Sequence, residues 1–194
     1  MSDLTITEAG VTVTPKSPGS VISTGKRKVI RVTPTCTTSS LGTSGDVIFN
    51  AAEIPNAVRE DGGCSKLVAA YLIDYTGAAN DFRILYHSTS GIDLGPTDSS
   101  TTANISDANA RLLKILGAQF LDSSDADIVI SGFKIYALGG PGGSASSSSD
   151  HPIPNIPIFL EALSGSTSVY FSAITNTAET FAADSLEFIF FIEY

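Results

Sequence analysis

The sequence predicts an all-β fold: an antiparallel β-sandwich, with the jelly roll as one form of it, carrying one short helix and an extended N-terminal arm. Three observations point there. Apolar residues come in eight short bursts rich in β-branched and aromatic side chains: KVIRVT (28–33), DVIFN (46–50), KLVAAYLIDY (66–75), FRILYH (82–87), ADIVISGFKIYAL (126–138), IPIFLEAL (156–163), SVYFSAI (168–174) and SLEFIFFIEY (185–194). Ser, Thr, Gly and Asn bound each burst, which is the punctuation of strands and turns. Finally, 42% of the 194 residues are hydrophobic and only 16% are charged. The usual charged share is about 25%, and a disordered chain would show the reverse balance.

The elements follow in chain order. Residues 1–27 are expected to form the extended arm, and 28–194 the sandwich domain. In the arm, Leu4 and Ile6, then Val11 and Val13, alternate with Thr as short strands do, before Pro15, Pro18 and Gly19 interrupt any ladder. Twenty-five extended residues would reach roughly 80 Å, so this segment can pair with a neighbouring subunit or lie as an edge strand on its own. Thr35–Gly45 reads as a hydroxyl-rich loop, and Ile54–Gly63 as a crossing segment or short helical turn. Tyr75–Asp81 reads as a hairpin connection, with Gly77 and Asn80 able to take positive φ, so that 66–75 and 82–87 pair antiparallel.

ISDANARLLKILG (105–117) is the helical candidate. Ser106 can cap it, Asp107 suits the positive end of its dipole, and Gly117 can stop it. A short helix over about 107–111 followed by extended chain is expected, with Ile105, Leu112, Leu113 and Leu116 on one face. Gly139–Asp150 (GGPGGSASSSSD) has no apolar anchor and reads as a flexible protruding loop between two strands. The last strand is unusual. Leu186, Phe188, Phe190 and Ile192 share one face, but Ile189 and Phe191 make the other face apolar too, between Glu187 and Glu193. A one-sided antiparallel strand does not need this. Either the strand is central in a two-layer core, or its second face meets another subunit, because an exposed Ile189/Phe191 pair would invite aggregation.

Charge narrows the function classes. Eleven Lys+Arg against 20 Asp+Glu give −9, which argues against a nucleic-acid binder that must neutralise phosphates. The basic cluster Lys26, Arg27, Lys28 and Arg31 reads as solvated charge at a strand entrance, with contact to an acidic neighbour as the other reading. The start, MSDLTITEAG, has neither the basic nor the apolar region of a signal peptide, and no apolar run reaches membrane-spanning length. The expectation is a protein made in the cytoplasm that engages no membrane. Cys36 and Cys64 form no CxxC pair and read as two buried free thiols, a bridge between them being left to the fold.

The search for chemistry is short. His87 and His151 stand near serines, but no GxSxG elbow positions a nucleophile, and both read as surface or interface histidines. Asp122, Asp125 and Asp127 lack the spacing of a calcium loop. No histidine pair has metal-ligand spacing, no phosphate-cradling glycine motif opens a helix, and the absence of Trp removes the usual sugar platform. The expectation is a non-enzyme that needs no cofactor.

A group of stretches resembles the small virion structural proteins of tailed bacteriophages. They are GDVIFNAAEIPNAVREDGGCSKL (45–67), AYLIDYTGAANDFRILYH (70–87), ISDANA (105–110), LKILGAQF (113–120) and the late strands IPIFLEAL and SLEFIF. The resemblance covers roughly 28–194 and includes no catalytic signature. It implies a capsid decoration or cement protein: a β-sandwich that forms dimers or trimers, binds the major capsid protein on the outer head surface, and resides in the virion after synthesis in the host cytoplasm. The arm and the Gly/Ser insertion at 139–150 depart from the plainer pattern. Two other readings stand beside it: a tail, neck or fibre component with receptor-facing loops, and a cellular β-sandwich module for a carbohydrate or peptide. For the cement reading the candidate contacts are Leu4, Ile6, Val11 and Val13 in the arm, and Ile189 and Phe191 in the last strand.

Overall fold

The structure is a computed structural model that describes residues 26–42, 45–78, 80–98, 102–121, 126, 128–138, 157–175 and 177–194, with a short strand pair at 6–8 and 11–13. That pair, β1 (Ile6–Glu8) and β2 (Val11–Val13), is antiparallel with Ile6 opposite Val13. The remaining elements are β3 (Arg27–Val32), β4 (Asp46–Ile54), β5 (Cys64–Asp74), β6 (Phe82–His87), α1 (Asp107–Leu113), β7 (Ile115–Leu121), β8 (Ile128–Ile130), β9 (Phe133–Leu138), β10 (Ile158–Glu161), β11 (Val169–Thr175) and β12 (Leu186–Glu193).

Two antiparallel sheets stack. One runs β3-β12-β5-β9-β8, with β10 also alongside β5; the other runs β4-β11-β6-β7. Let β3, β4, β5, β6, β7, β9, β11 and β12 be numbered one to eight. The sheets then read 1-8-3-6 and 2-7-4-5, the double Greek-key connectivity of a jelly roll. The short β8 and β10 extend the first sheet to six strands.

The core lies between the sheets and is built by strand alternation. On β12, Leu186, Phe188, Phe190 and Ile192 all point inward and are fully buried. Opposite them, Phe171 of β11 meets Phe188 at 4.8 Å and Phe190 at 5.1 Å between ring centroids, both edge-to-face. Phe49 of β4 closes on Phe171 at 5.3 Å in the same manner. Such pairs add about 0.5–1.5 kcal/mol each beyond the area they bury. Tyr86 is also buried, and its hydroxyl donates to Gln119 Oε1 at 2.7 Å, so the polar tip has a partner; burial pushes its pKa upward. Gly117, facing inward on β7, marks a close approach of the layers: a Cβ there would lie 3.1 Å from Ile158 Cγ2 of β10.

Several sequence expectations are corrected. β5 and β6 are not hairpin partners: β5 pairs with β12, β9 and β10, whereas β6 pairs with β11 and β7 in the other sheet. The connection between them is a corner held by side chains. Asp74 accepts from the Thr76 backbone at 2.9 Å and from Asn80 Nδ2 at 3.0 Å, and Asn80 Nδ2 also reaches Thr76 Oγ1 at 2.8 Å. These bonds take the backbone out of β5's plane and carry it to the other layer. Gly77 takes positive φ there, at 70°. The run 126–138 is two strands, β8 and β9, folded back at Gly132 with φ of 100°.

The helix is longer than expected and stops elsewhere. Ser106 Oγ accepts from Asn109 N at 3.3 Å, as a cap should, but α1 continues to Leu113 and ends at Lys114, in the left-handed region at φ 53°. The carbonyls near that end are taken by side-chain and backbone donors: Thr89 Oγ1 bonds Leu112 O at 2.8 Å, and Ser88 N bonds Lys114 O at 3.2 Å. Those partners satisfy groups that a glycine cap would otherwise serve. Leu113 is buried while Leu112 is exposed, so the two do not share a face. Both cysteines are free, but Cys36 alone is buried. Its thiol is pushed up to about 12, chiefly by burial. Cys64 opens β5 on the outer side and is exposed. Ile54–Gly63 is a crossing segment, since it joins β4 to β5 in opposite sheets.

Candidate interaction face

Each sheet also has an outer side, and the two are finished differently. On the four-stranded sheet, the chain between β6 and β7 folds back as a cover. Leu94 from the loop and Leu113 from α1 pack on Val47 of β4, with Leu85, Ile92, Ala103, Ile105 and Ile174 around them. Asn50 locks this cover to β4 with two bonds: its Oδ1 accepts from Leu94 N at 2.8 Å, and its Nδ2 donates to Gly95 O at 3.0 Å.

His87, which ends β6, is fully buried under the same cover and not at the surface. Its Nδ1 lies 2.8 Å from Thr89 O, which can only accept, so Nδ1 carries the hydrogen. Nε2, 3.0 Å from Ser172 Oγ, is then the acceptor. Burial lowers the pKa of the ring, against the opposing pull of the Thr89 carbonyl. The tautomer is that of a neutral, structural histidine clamped between β11 and the cover. The other histidine, His151, lies outside the described residues, as do Asp122, Asp125, Asp127 and the loop 139–150.

The six-stranded sheet has no such cover among the described residues, yet its outer face is apolar. Register places the outward residues in cross-strand rows. Val29, Phe191 and Ala69 form one row; Arg31, Ile189, Tyr71 and Ala137 form the next; Glu187, Ile73, Ile135 and Ile128 form a third. Phe133 stands opposite Ile130 beyond them, with the Tyr75 ring 6.2 Å from Phe133. At the other end, Arg27, Glu193, Lys66 and Phe159 line up. Phe159 is 68% exposed, Val29 54%, Ile130 49% and Tyr71 39%. An antiparallel sheet with a wet outer face normally carries polar residues at these positions, and a contiguous apolar patch rimmed by charge marks a contact site.

The charges sit at the margin and are internally paired. Arg31 Nη1 is 2.6 Å from Glu187 Oε1, whose Oε2 accepts from the Tyr75 hydroxyl at 3.0 Å; Arg27 lies 3.6 Å from Glu193. The bond to Glu187 raises the Tyr75 pKa. Two members of the basic cluster thus answer carboxylates on β12. Of the residues nominated from sequence, Ile189 and Phe191 both lie on this face, half-buried, with Phe191 edge-on to Tyr71 at 5.8 Å. Ile6, Val11 and Val13 lie in the β1–β2 pair, and Leu4 lies outside the described residues. Sequence reasoning missed Val29, Tyr71, Ile73, Ile135, Ile128 and Ile130. Their signal was present in β5, where Ala69, Tyr71 and Ile73 make a second apolar face just as Ile189 and Phe191 do on β12.

No group of three His, Cys, Asp or Glu side chains converges as a metal site among the described residues. Nor is any helix there long and apolar enough to cross a membrane. Two surface depressions lie among the described residues. One, of about 300 Å³, lies between Val32–Thr35 and Phe49–Glu53; the other, of about 230 Å³, lies beside Phe159, Lys66, Glu193 and Tyr194 at the margin of the apolar face. The second also holds the exposed Cys64 thiol and Ser65 beside Lys66 and Glu193, the latter paired with Arg27. Compared with known proteins, the chain matches no family model, no curated protein and no solved structure.

Proposed function

We propose that this chain is a structural protein of a tailed-bacteriophage virion, a capsid decoration or cement protein that stabilises capsomer contacts from the outer head surface. The observation that carries the reading is the apolar outer face of the six-stranded sheet. A protein with this surface acts by being covered, so its chemistry is area removed from water between preformed subunits, at about 25 cal/mol per Å². The jelly-roll connectivity is compatible with the reading, as it recurs in viral capsid domains, but also in lectins and cupins. Fold alone therefore does not choose among them. The resemblance to phage virion proteins supports the choice, and His87, fully buried with its ring nitrogens engaged by Thr89 and Ser172, presents no base to the surface. In this reading the protein is not an enzyme, the major capsid protein is its partner, and the arm carrying Leu4, Ile6, Val11 and Val13 reaches the neighbouring capsomer.

The test is attachment. The purified protein should bind assembled, expanded capsids and not free capsid subunits, and a chain lacking residues 1–25 should remain folded but attach at least about tenfold more weakly, the loss of a short strand's worth of backbone pairing. Particles lacking the protein should release DNA at lower temperature or milder osmotic shock. Equal robustness with and without it, together with no capsid binding, refutes the reading. Immunogold labelling of the tail or a positive glycan array would favour the two other readings.

A further inference from the structure

We propose that the outer face of the six-stranded sheet is where two copies of this chain meet, sheet against sheet about a twofold axis. The inference rests on the reading of the protein as one that works by contact, and it names the occupant of that surface.

Size is the first argument. Five strands at about 4.8 Å spacing, with two to five outward residues each at about 6.8 Å, give a face of about 500 Å² in projection. The accessible area of so corrugated a surface is larger. It therefore reaches the lower range of what each partner contributes to a standard interface, about 800 Å². Two such faces can pack at the ordinary sheet separation of about 10 Å.

Charge selects the partner. The outward positions of this sheet carry three cations, Arg27, Arg31 and Lys66, and three carboxylates, Glu161, Glu187 and Glu193. The face is neutral on a chain whose net charge is −9. A basic partner would be drawn to the acidic remainder of the surface, and an acidic partner would find no surplus of cations here. A second copy is repelled everywhere except at a neutral face. The charges also lie in opposite-sign pairs along one margin, Arg27 with Glu193 and Arg31 with Glu187. Under a twofold operation each sign can meet its opposite, as an isologous contact requires.

Relief is the third argument. Tyr71 and Phe191 stand up from the middle of the face while Ala69 and Ala137 leave hollows beside them. Large and small positions on one surface let it interdigitate with its own copy.

The experiment is sedimentation velocity of the full chain between 1 and about 100 µM, the range in which an interface at the small end of the standard class assembles. The expected result is a monomer–dimer equilibrium. Val29→Lys and Ile130→Lys, at opposite ends of the face and both half-exposed, should each weaken the dimer about tenfold or more, and together leave a monomer with unchanged circular dichroism and melting. Leu112→Lys, an equally exposed apolar position on the covered side, should leave the dimer intact. A wild-type chain that stays monomeric, whether because its own residues or only a capsid subunit occupies the face, overturns the inference. So does a trimer, or a dimer indifferent to the Val29 and Ile130 substitutions. Capsid binding separates the two proposals: binding without dimers sinks only this inference, and dimers that ignore capsids sink only the cement reading.

Discussion

The two outer faces of this jelly roll pose the same physical problem and solve it in opposite ways. Both are apolar, through Val47, Leu85 and Ile174 on one side and Val29, Tyr71, Ile73 and Phe191 on the other. The first is sealed by the chain itself, whose described residues 88–98 and 102–113 form a loop and helix that bury it. The second is left bare by every described residue. A sheet face costs nothing to leave wet if it is polar, so an apolar face left uncovered by the described residues is a candidate contact surface. The difference separates residues that stabilise the fold from residues that we propose serve contact.

The largest test of that division sets a substitution under the cover beside one on the bare face. Leu113→Ala should destabilise the monomer by about 2–4 kcal/mol, since it empties a buried site. Tyr71→Ala, on a side chain 39% exposed, should cost about 1 kcal/mol or less. Urea midpoints of the two variants, taken below the dimer range, read this directly; similar costs would erase the distinction between the faces.

A second effect belongs to the cover alone. His87 has a lowered native pKa because it is buried, so the unfolded state, near 6.5, binds the proton more readily. Stability from this group is therefore complete above the unfolded value and declines as pH falls from about 6.5 through the lowered native value. The slope is no steeper than one proton's worth, about 1.4 kcal/mol per pH unit. His87→Gln should flatten the urea midpoint between pH 7 and 5.5. An unchanged slope would assign the titration to other groups.

Smaller still is the helix cap. Ser106→Ala removes the bond to Asn109 N and should cost about 0.5–1 kcal/mol, seen as faster amide exchange confined to α1. The smallest effect is on thiol chemistry, where the two cysteines report the same contrast. Cys64 should react with a disulfide reagent in the native state, while Cys36, buried and held to about 12, should wait for unfolding.

How much of this was legible in the sequence depends on distance along the chain. Strands were legible because β-branched and aromatic bursts are local, and the cap at Ser106 was legible for the same reason. The doubly apolar β12 announced that its second face needed explaining. Connectivity was not legible. The 75–81 connection carries the residues of a hairpin turn, and only the three-dimensional bonds among Asp74, Thr76 and Asn80 show it to be a corner between layers. The bare face was visible only in part, since Val29, Tyr71 and Ile135 join Ile189 and Phe191 through register between strands far apart in sequence. His87 looked like a surface residue because the segment that buries it follows it in the chain and returns over it.

The most direct measurement places one thiol on the bare face. In a Cys64→Ser background, Ile130→Cys would be labelled across a concentration series from about 1 to 100 µM, spanning the expected dimerisation range. The account predicts a labelling rate that falls several-fold as concentration rises, while the same thiol placed at Leu112 reacts at a constant rate. A rate at position 130 that ignores concentration contradicts it.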